Sequence, residues 1–400
     1  MRKATVTFIF VTVVLDMLAL GIIIPILPGL ILNFKGGNTA DAAYIYGLFG
    51  VTFAAMHFFF APILGSLSDR YGRRPLILLS SFALGLDYIF MAIAPSLALL
   101  FVGRVIAGMC SATFSIPNAY IADVTPPEKR AASFGIIGAA FGLGFVIGPA
   151  FGGLLGSVSP RLPFWVAAGL SVANAIYGLF ILPESLSQEK RARFDWKKAN
   201  PIGSFILLRK YPGVLAIAAI IFLSFLAHEV LPSVWVLYSN YRYQWNTRTV
   251  GLTLAAVGVF SAVVQGGLVR PVVAKLGERP ALMLGLVCGM TGFAAYGLAP
   301  TGRLFLIGLP FGALWGFAGP AAQALVTSRV DPSEQGRLQG ALAGLRGISG
   351  MLGPAIFTTV FAYFIGPATP RHLPGAPFLL AAAFLGVAFI IAAFAAKRKA

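Results

Sequence analysis

Twelve long runs of apolar residues limit the possible folds of this chain more than any other feature. A helix needs about 20 apolar residues to cross a bilayer. Only 13 of the 400 residues are acidic, whereas 34 are phenylalanine, and soluble domains are much richer in charge. The spans must be helices, because hydrocarbon offers no partner to a free backbone N–H or C=O group. We therefore predict an all-α membrane protein whose spans 1 to 12 are residues 4–32, 43–67, 75–94, 97–123, 131–157, 162–183, 211–239, 249–274, 280–299, 303–328, 337–364 and 376–396.

The net charge of +17 is spread unevenly along the chain. The two termini and the loops after spans 2, 4, 6, 8 and 10 hold 21 of the 30 Lys and Arg residues, and the other loops hold six. Basic loops stay on the cytoplasmic side of a membrane. We therefore expect both termini in the cytoplasm and a multi-pass protein of the inner membrane. The positive charge indicates orientation, and we expect no nucleic-acid partner.

A polar stretch, "PESLSQEKRARFDWKKANP", separates six spans from six. The two halves match without gaps at an offset of about 205 residues, so that "YGRRPLILL" aligns with "LGERPALML". Chance coincidence of glycines and prolines is the alternative. Repeated bundles are typical of rocking transporters, whose site lies between the halves near the middle of the membrane. We predict an N-terminal bundle (1–183), a cytoplasmic linker (184–210) and a C-terminal bundle (211–400).

Five segments resemble one family of transporters. The loop after span 2 reads "GSLSDRYGRRP" and span 5 contains "GLGFVIGPAFGG". Both resemble motifs of the major facilitator superfamily, and the second one marks its exporters. The segments "LDMLALGIIIPILPGLI", "SFALGLDYIFMAI" and "VWVLYSNYRYQWN" resemble the tetracycline-efflux group of drug:proton antiporters. The resemblance covers nearly the whole chain and implies two pseudo-symmetric six-helix bundles.

The charged loop after span 2 is expected to act as a latch between the halves. Gly72 permits a tight turn, and Asp69 could sit against the positive N-terminus of another helix, which the resemblance implies is span 11. The resemblance implies that Arg73 pairs with Asp123 at the end of span 4. Alternatively, the charges of this loop only anchor it at the membrane surface. This alternative stays open for Arg70 and Arg74. The predicted latch comprises Gly65, Asp69, Arg70, Gly72, Arg73, Arg74 and Asp123.

Span 5 carries Gly144, Gly148, Gly152 and Gly153 around Pro149. Small residues four apart allow helices to approach closely, and a proline removes one backbone bond and bends its helix. The resemblance to the antiporter motif implies a hinge face that seals against span 8. Ordinary close packing is the alternative interpretation.

Few ionisable residues lie inside the spans, where charge is costly and functional by default. Asp16 and Asp87 match acids of the tetracycline exporters, and Arg104 matches a superfamily residue associated with proton coupling. An arginine favours the charged form of a nearby carboxylate, so a substrate that separates Asp16 from Arg104 could move a proton. Alternatively these two residues only neutralise each other, and Asp87 only orients backbone near the periplasmic side.

The second half departs from the tetracycline exporters. Where they have a coupling histidine and aspartate, this chain has Ser261 and Gly289. One hypothesis is that Glu229 in span 7 has become the proton carrier of this half. Another is that Glu229 and Arg346 form a structural ion pair. The predicted proton-coupling residues are Asp16, Arg104, Glu229 and Asp87.

Polar and amphipathic residues on the central spans are candidates for substrate contacts. His57 falls where the tetracycline exporters have a functional glutamine, and Gln265 matches a residue of theirs. Each candidate could instead bond a neighbouring helix. The predicted substrate-binding set is His57, Asn118, Trp235, Gln265, Gln323, Arg346 and His228.

Together these features predict a proton-coupled antiporter, monomeric in the lipid bilayer, that exports a small amphipathic drug of the tetracycline type. We expect no cofactor and no metal site, and the family implies that the drug travels as a metal chelate. Alternatives are a multidrug or metabolite transporter of the same fold, including a proton symporter for an anionic solute with Arg346 as counter-charge. A receptor or an intramembrane enzyme would need neither the repeat nor the latch, and a channel would need a filter or charged ring.

Overall fold

The computed structural model describes residues 6–111, 115–126, 129–191, 207–211, 213–331, 334–367 and 369–394. This part of the chain contains twelve helices that are long and apolar enough to cross a membrane, and its other regular elements are also helical. The prediction of twelve spans is confirmed. The helices α1 to α12 are Val6–Phe34, Thr39–Tyr71, Arg73–Ile93, Leu97–Val124, Ser133–Val158, Leu162–Phe180, Val214–Tyr243, Thr247–Leu276, Glu278–Leu298, Gly302–Thr327, Arg337–Ile365 and Ala376–Phe394.

Five of these helices depart from regular α-helix in their interior. A turn around Pro25 separates Val6–Ile23 from Leu27–Phe34 in α1, the backbone of α4 is extended at Ser111, and a turn at Glu229 interrupts α7. A π-helical turn interrupts α8 at Val264–Leu268, and a 3₁₀ turn interrupts α10 at Trp315–Phe317. Irregular turns within helices often occur at functional sites. In a membrane they are tolerated where protein or a water-filled cavity satisfies the backbone.

The described residues group into two compact units. Unit 1 comprises 1–34, 52–200 and 246–255. Its core contains Ile9, Val13 and Met17 of α1 together with Tyr120 and Ile121 of α4. Glycines allow α5 to lie directly against α1, since a Cβ at Gly148 would be only 2.6 Å from the Gly21 Cα.

Unit 2 comprises 35–51, 201–245 and 256–400. Its most prominent feature is a cluster of aromatic rings, in which Trp235 lies 4.8 Å from Phe305 and 5.3 Å from Tyr296 between ring centroids. Tyr238 joins the same cluster and donates a hydrogen bond to the Tyr296 carbonyl at 2.9 Å. Large aromatic side chains supply much of the packing energy of such a core.

The repeated loops of the two halves have the same backbone turn. Gly72 before α3 has φ of 104°, and Gly277 before α9 has φ of 83°. Other residues rarely adopt this conformation, which explains why both halves have glycine here. The cytoplasmic position of the termini and the predicted bundle boundaries stay predictions, and residues 192–206 of the linker lie outside the described residues.

Candidate functional site

A small cavity in unit 1 brings together several predicted residues. The space open to the centre of a water molecule is about 20 Å³, enough for one or two waters and too little for a drug. The residues around it come from α1 to α4, beginning with two that were expected to couple protons: Asp16, Arg104, Met17, Leu20, Phe53, Leu84, Tyr88, Ala107 and Ser111.

Asp16 lies in the middle of α1 with 9% of its surface exposed. Its Oδ1 atom accepts a hydrogen bond from the Asn174 side-chain amide of α6 at 2.8 Å. None of the ion pairs between described residues includes Asp16. Hydrogen bonds from two neutral side chains, the Asn174 amide and the Ser81 hydroxyl, therefore hold its carboxylate, and no cation does so among the described residues.

Asp87 of α3 has a different environment. Its Oδ2 atom lies 3.9 Å from Arg104 Nη2, and its side chain is fully buried. The Arg104 guanidinium also lies 5.4 Å from the centroid of the Phe53 ring and donates to Met91 Sδ at 3.4 Å. Arg104 is thus the counter-ion of Asp87.

These positions correct the alternative that Asp16 and Arg104 neutralise each other. An ion pair between Asp16 and Arg104 is not formed, although both residues line the same cavity. The reason is that Asp87 lies within ion-pair distance of the Arg104 guanidinium, whereas the Asp16 carboxylate accepts a hydrogen bond from Asn174. The two buried acids Asp16 and Asp87 therefore differ in the way their charge is compensated.

His57 lies on α2 near this cavity. Its ring is parallel to the Phe53 ring, with 6.3 Å between the centroids, and Phe53 in turn lies beneath Arg104. One aromatic ring thus connects a predicted substrate residue with a predicted coupling residue. A role for His57 in substrate binding stays a prediction.

The charged loop between α2 and α3 forms a compact network. Arg73 Nε lies 3.1 Å from Asp123 Oδ2, the pair that the resemblance implies. Arg73 Nη1 also bonds Asp69 Oδ1 and, at 2.7 Å, Ser68 Oγ. The contact of Asp69 with span 11, and the role of the loop as a latch, stay predictions.

Arg74 and Arg70 differ in their contacts. The Arg74 guanidinium donates to the backbone carbonyls of Gly178 and Leu179 in the last turn of α6, where a cation is favourable. Arg70 lies 5.0 Å from the centroid of the neighbouring Tyr71 ring. Arg74 therefore connects α3 with α6, in addition to any role in anchoring the loop at the membrane surface.

Glu184 belongs to this network and was not identified from the sequence. Its carboxylate accepts the backbone N–H groups of Arg73 at 2.9 Å and Arg74 at 3.2 Å. It thereby satisfies free N–H groups at the N-terminus of α3, where a negative charge is favourable. The next residue, Ser185, donates to Asp123 Oδ2 at 2.9 Å. The sequence signal that could have identified Glu184 is its position in "PES", directly after span 6.

The glycines of α5 face two neighbours. Cβ atoms at Gly144, Gly148 and Gly152 would collide with α1, whereas one at Gly153 would lie 2.7 Å from the Thr247 carbonyl oxygen and 3.0 Å from the Gly251 Cα in α8. The expectation that all four form a face against span 8 was therefore wrong. Residues four apart share a helix face, so Gly144, Gly148 and Gly152 lie on one face. Gly153 directly follows Gly152 and therefore points to a different neighbour. The hinge role stays a prediction.

Glu229 of unit 2 lies at the break in α7 and packs on α11. A Cβ at Gly353 would be 2.2 Å from the Glu229 Cβ, so glycine makes room for this side chain. None of the ion pairs between described residues joins Glu229 to Arg346. The two side chains form no direct ion pair among the described residues, but the charge of Arg346 still acts on Glu229. The ion-pair and proton-carrier hypotheses both stay predictions.

Arg346 and His228 lie beside aromatic rings. The Arg346 guanidinium carbon is 5.6 Å from the Phe225 ring centroid, and the His228 ring is 5.9 Å from the Trp315 ring. Both residues are exposed. Cations and aromatic rings attract each other, and such a surface suits a ligand that has both charged and aromatic parts.

The four remaining candidates lie in different settings. Trp235 is 1% exposed inside the aromatic cluster, and Gln323 is half-buried in α10. Asn118 of α4 is exposed, as is Gln265 in the π-helical turn of α8. Their predicted contacts with substrate stay predictions.

A second polar cluster lies just before α7, outside the membrane spans. Glu334 accepts from Lys210 Nζ at 2.7 Å and pairs with Arg337 at 3.0 Å. The hydroxyl of Tyr211 also donates to Glu334. The Lys210 and Tyr211 hydrogen bonds hold the pKa of the Glu334 carboxyl below its usual range. This contact ties the end of the linker to the loop before α11.

The comparisons with known proteins fit this arrangement. Residues 9–354 match the family model of the Major Facilitator Superfamily. The chain is 37% identical to the tetracycline resistance protein, class C, of Escherichia coli over 351 residues, or 88% of each chain. It is also 34% identical to the class D protein of Salmonella ordonez, covering 98% of this chain and 96% of that one.

Solved structures show the same fold. The nucleoside transporter NupG has a TM-score of 0.75 at 15% identity, with 99% of each chain covered. The human organic anion transporter MFSD10 (TETRAN) has a TM-score of 0.72 at 23% identity, with 97% of this chain and 98% of the other covered.

The family match, the tetracycline resistance relatives and the twelve apolar helices of the described residues show a membrane transporter rather than an enzyme. The chain belongs to the major facilitator superfamily. It resembles the tetracycline resistance proteins over most of its length, and it is a multi-pass protein of the inner membrane that moves a small molecule across the bilayer.

Proposed function

We propose that the chain is a proton-coupled antiporter that exports a small amphipathic drug of the tetracycline type. The observation that carries the proposal is the position of Asp16, which is buried in the middle of α1 at a cavity large enough only for water. A charged carboxylate without a cation beside it is costly at this depth, so Asp16 is suited to take up and release a proton. Asp87 keeps Arg104 as its partner.

The names of the relatives support the substrate. Several are tetracycline resistance proteins, and the exposed Arg346 and His228 beside aromatic rings suit a ligand with aromatic and polar parts. In this proposal the proton gradient supplies the energy without a resident cofactor, the drug travels as a metal chelate, and the chain acts as a monomer.

Everted membrane vesicles test the direction and the coupling. We expect them to accumulate tetracycline when their interior is acidified, and we expect collapse of the pH gradient to abolish the accumulation. Asp16→Asn should lose it while being present in the membrane in a normal amount. Equal accumulation by this variant, with the gradient collapsed, would contradict the proposal.

Drug susceptibility of a pump-deleted bacterial host tests the substrate. Resistance to tetracycline that depends on Asp16 supports the proposal, and resistance to unrelated dyes instead indicates a multidrug pump.

A second candidate is a proton symporter for an anionic solute. It is favoured by Arg346, whose guanidinium forms none of the ion pairs found between described residues. A cation in a span that has no acid within ion-pair distance suits an anionic ligand, although Glu229 lies close enough to interact with its charge. If vesicles took up an organic anion together with protons, and Arg346→Gln abolished the uptake, this candidate would replace drug export.

A further inference from the structure

Asn174 lies in the middle of α6 and is 1% exposed. Its side-chain nitrogen donates to Asp16 Oδ1 at 2.8 Å, and it lies 3.1 Å from the Thr12 carbonyl oxygen and 3.4 Å from Ser81 Oγ. One amide therefore joins α1, α3 and α6. Burial of an amide in a membrane span is costly, and interhelical hydrogen bonds of this kind offset part of the cost.

Asp16 lies between the cavity and the Asn174 amide, since Asp16 lines the cavity and Asn174 does not. An amide nitrogen can only donate, so Asn174 takes no proton from Asp16 through this nitrogen. The hydrogen bond occupies one acceptor site of Oδ1, and each carboxylate oxygen has two such sites.

The same contact influences how readily Asp16 is protonated. A hydrogen bond donated to a carboxylate favours its charged form, and such charge-assisted bonds are stronger than neutral ones. On α5 the residues that approach α1 most closely are glycines, among them Gly144 and Gly148. The titratable groups nearest to Asp16 are Tyr88 of α3 and Arg104 of α4, which line the cavity, with Asp87 beside Arg104 and His57 of α2 stacked on Phe53. Those further along the same helices include Arg73 and Arg74 of α3, Cys110, Tyr120 and Asp123 of α4, and Tyr177 of α6.

We propose that Asn174 is a positioning residue for proton coupling, which holds Asp16 at the cavity wall and sets the pH at which Asp16 takes up its proton. The inference rests on the proposed function, because it requires that Asp16 carries the proton. It adds a residue of α6 that belongs to none of the sequence motifs.

The test is the pH profile of tetracycline–proton exchange by the full-length chain in proteoliposomes. Asn174→Ala removes the donor, so the charged form of Asp16 loses support and the midpoint of the profile should move to higher pH. Loss of one charge-assisted hydrogen bond predicts a shift of about one pH unit, or roughly tenfold in proton affinity. Asn174→Gln keeps an amide donor, so its midpoint should lie close to that of the unaltered chain.

Ser171→Ala is the matched control. Ser171 lies one turn before Asn174 on α6 and is equally buried at 1% exposure, but its hydroxyl has no hydrogen-bond partner among the described residues. Its loss should leave the midpoint unchanged. The midpoint does not depend on the amount of folded protein, and Asn174→Ser replaces Asn174→Ala if the alanine variant does not reach the membrane.

An unchanged midpoint in Asn174→Ala, or in Asn174→Ser where that variant is used, would overturn the inference and leave the proposed function intact. An equal shift in Ser171→Ala would also overturn it, because the effect would then be one of general packing. Asp16→Asn is measured in parallel. If that variant exchanged protons normally, the proposed function itself would fail.

Discussion

The loop before α3 and the loop before α9 occupy the same place in the two halves, yet they differ in chemistry. Both have a glycine at positive φ, Gly72 and Gly277. Both also have an arginine that binds the end of a distant helix: Arg74 binds the last turn of α6, and Arg279 binds backbone carbonyls in the last turn of α12.

The ionic network of the first loop is absent from the second. At the positions equivalent to Asp69, Arg73 and Asp123, the second half has Ala274, Glu278 and Ser328. The turn and the helix-end arginine were kept in both halves because the fold needs them. Among the described residues, the charged network of Asp69, Arg73 and Asp123 occurs in the first half only.

The repeated Gly-Pro pair shows a second difference. In α5, a Cβ at Gly148 would collide with the backbone of Gly21, whereas in α11 a Cβ at Gly353 would meet the side chain of Glu229. Backbone cannot move aside, but a side chain can. The same sequence element thus supports close helix packing in one half and positions an acid in the other.

The largest effect is expected at this glycine pair. Gly148→Ala should destabilise the protein by about 2 kcal/mol, as overpacking typically does, and lower its melting temperature in detergent. Gly353→Ala should cost less stability and reduce transport instead, because it displaces Glu229. Gly142→Ala is the control, since a Cβ there has no neighbour within 4 Å. Equal losses of stability in all three variants would contradict the comparison.

The next effect concerns the charged network. Arg73→Ala leaves Asp69 and Asp123 without their shared cation, and we expect transport in vesicles to fall roughly tenfold, the equivalent of one charge-assisted hydrogen bond. Glu278→Ala, at the equivalent position, should change transport by less than about twofold. The comparison fails if the two variants are equally impaired.

A smaller effect should be shared by both halves. Arg74→Ala and Arg279→Ala each remove a cation from a helix C-terminus, a contact worth about 0.3–1 kcal/mol. We expect both variants to melt a few degrees lower, by similar amounts, with transport per folded molecule preserved. If transport were lost in Arg74→Ala alone, this arginine would belong to the functional network.

The smallest effect is expected at the linker end, where Lys210 and Tyr211 lower the pKa of Glu334. A group with a lowered folded-state pKa stabilises the structure above its unfolded pKa, and this contribution is lost as the pH falls through the folded value. Proteolysis near residues 207–211 should therefore accelerate roughly twofold on acidification. Glu334→Gln should be cut at the faster rate at every pH, and an unchanged acid response in this variant would contradict the assignment.

The sequence by itself determined the twelve spans, the repeat and the tight turns. Apolar length predicts a membrane helix because the bilayer has a fixed thickness, and Gly72 predicts its turn because other residues rarely adopt that conformation. The pairing of Arg73 with Asp123 followed from the family resemblance. Local chemistry was sufficient to predict the spans and the tight turns.

Only the tertiary structure decided which distant side chains meet. Asp16 and Asn174 are 158 residues apart, and the sequence pattern paired Arg104 with Asp16 rather than with Asp87. Spacing along one helix defines a face but not the neighbour of that face or the rotation of the helix against it. The partners of the buried acids therefore follow from packing, which depends on all the helices of a unit at once.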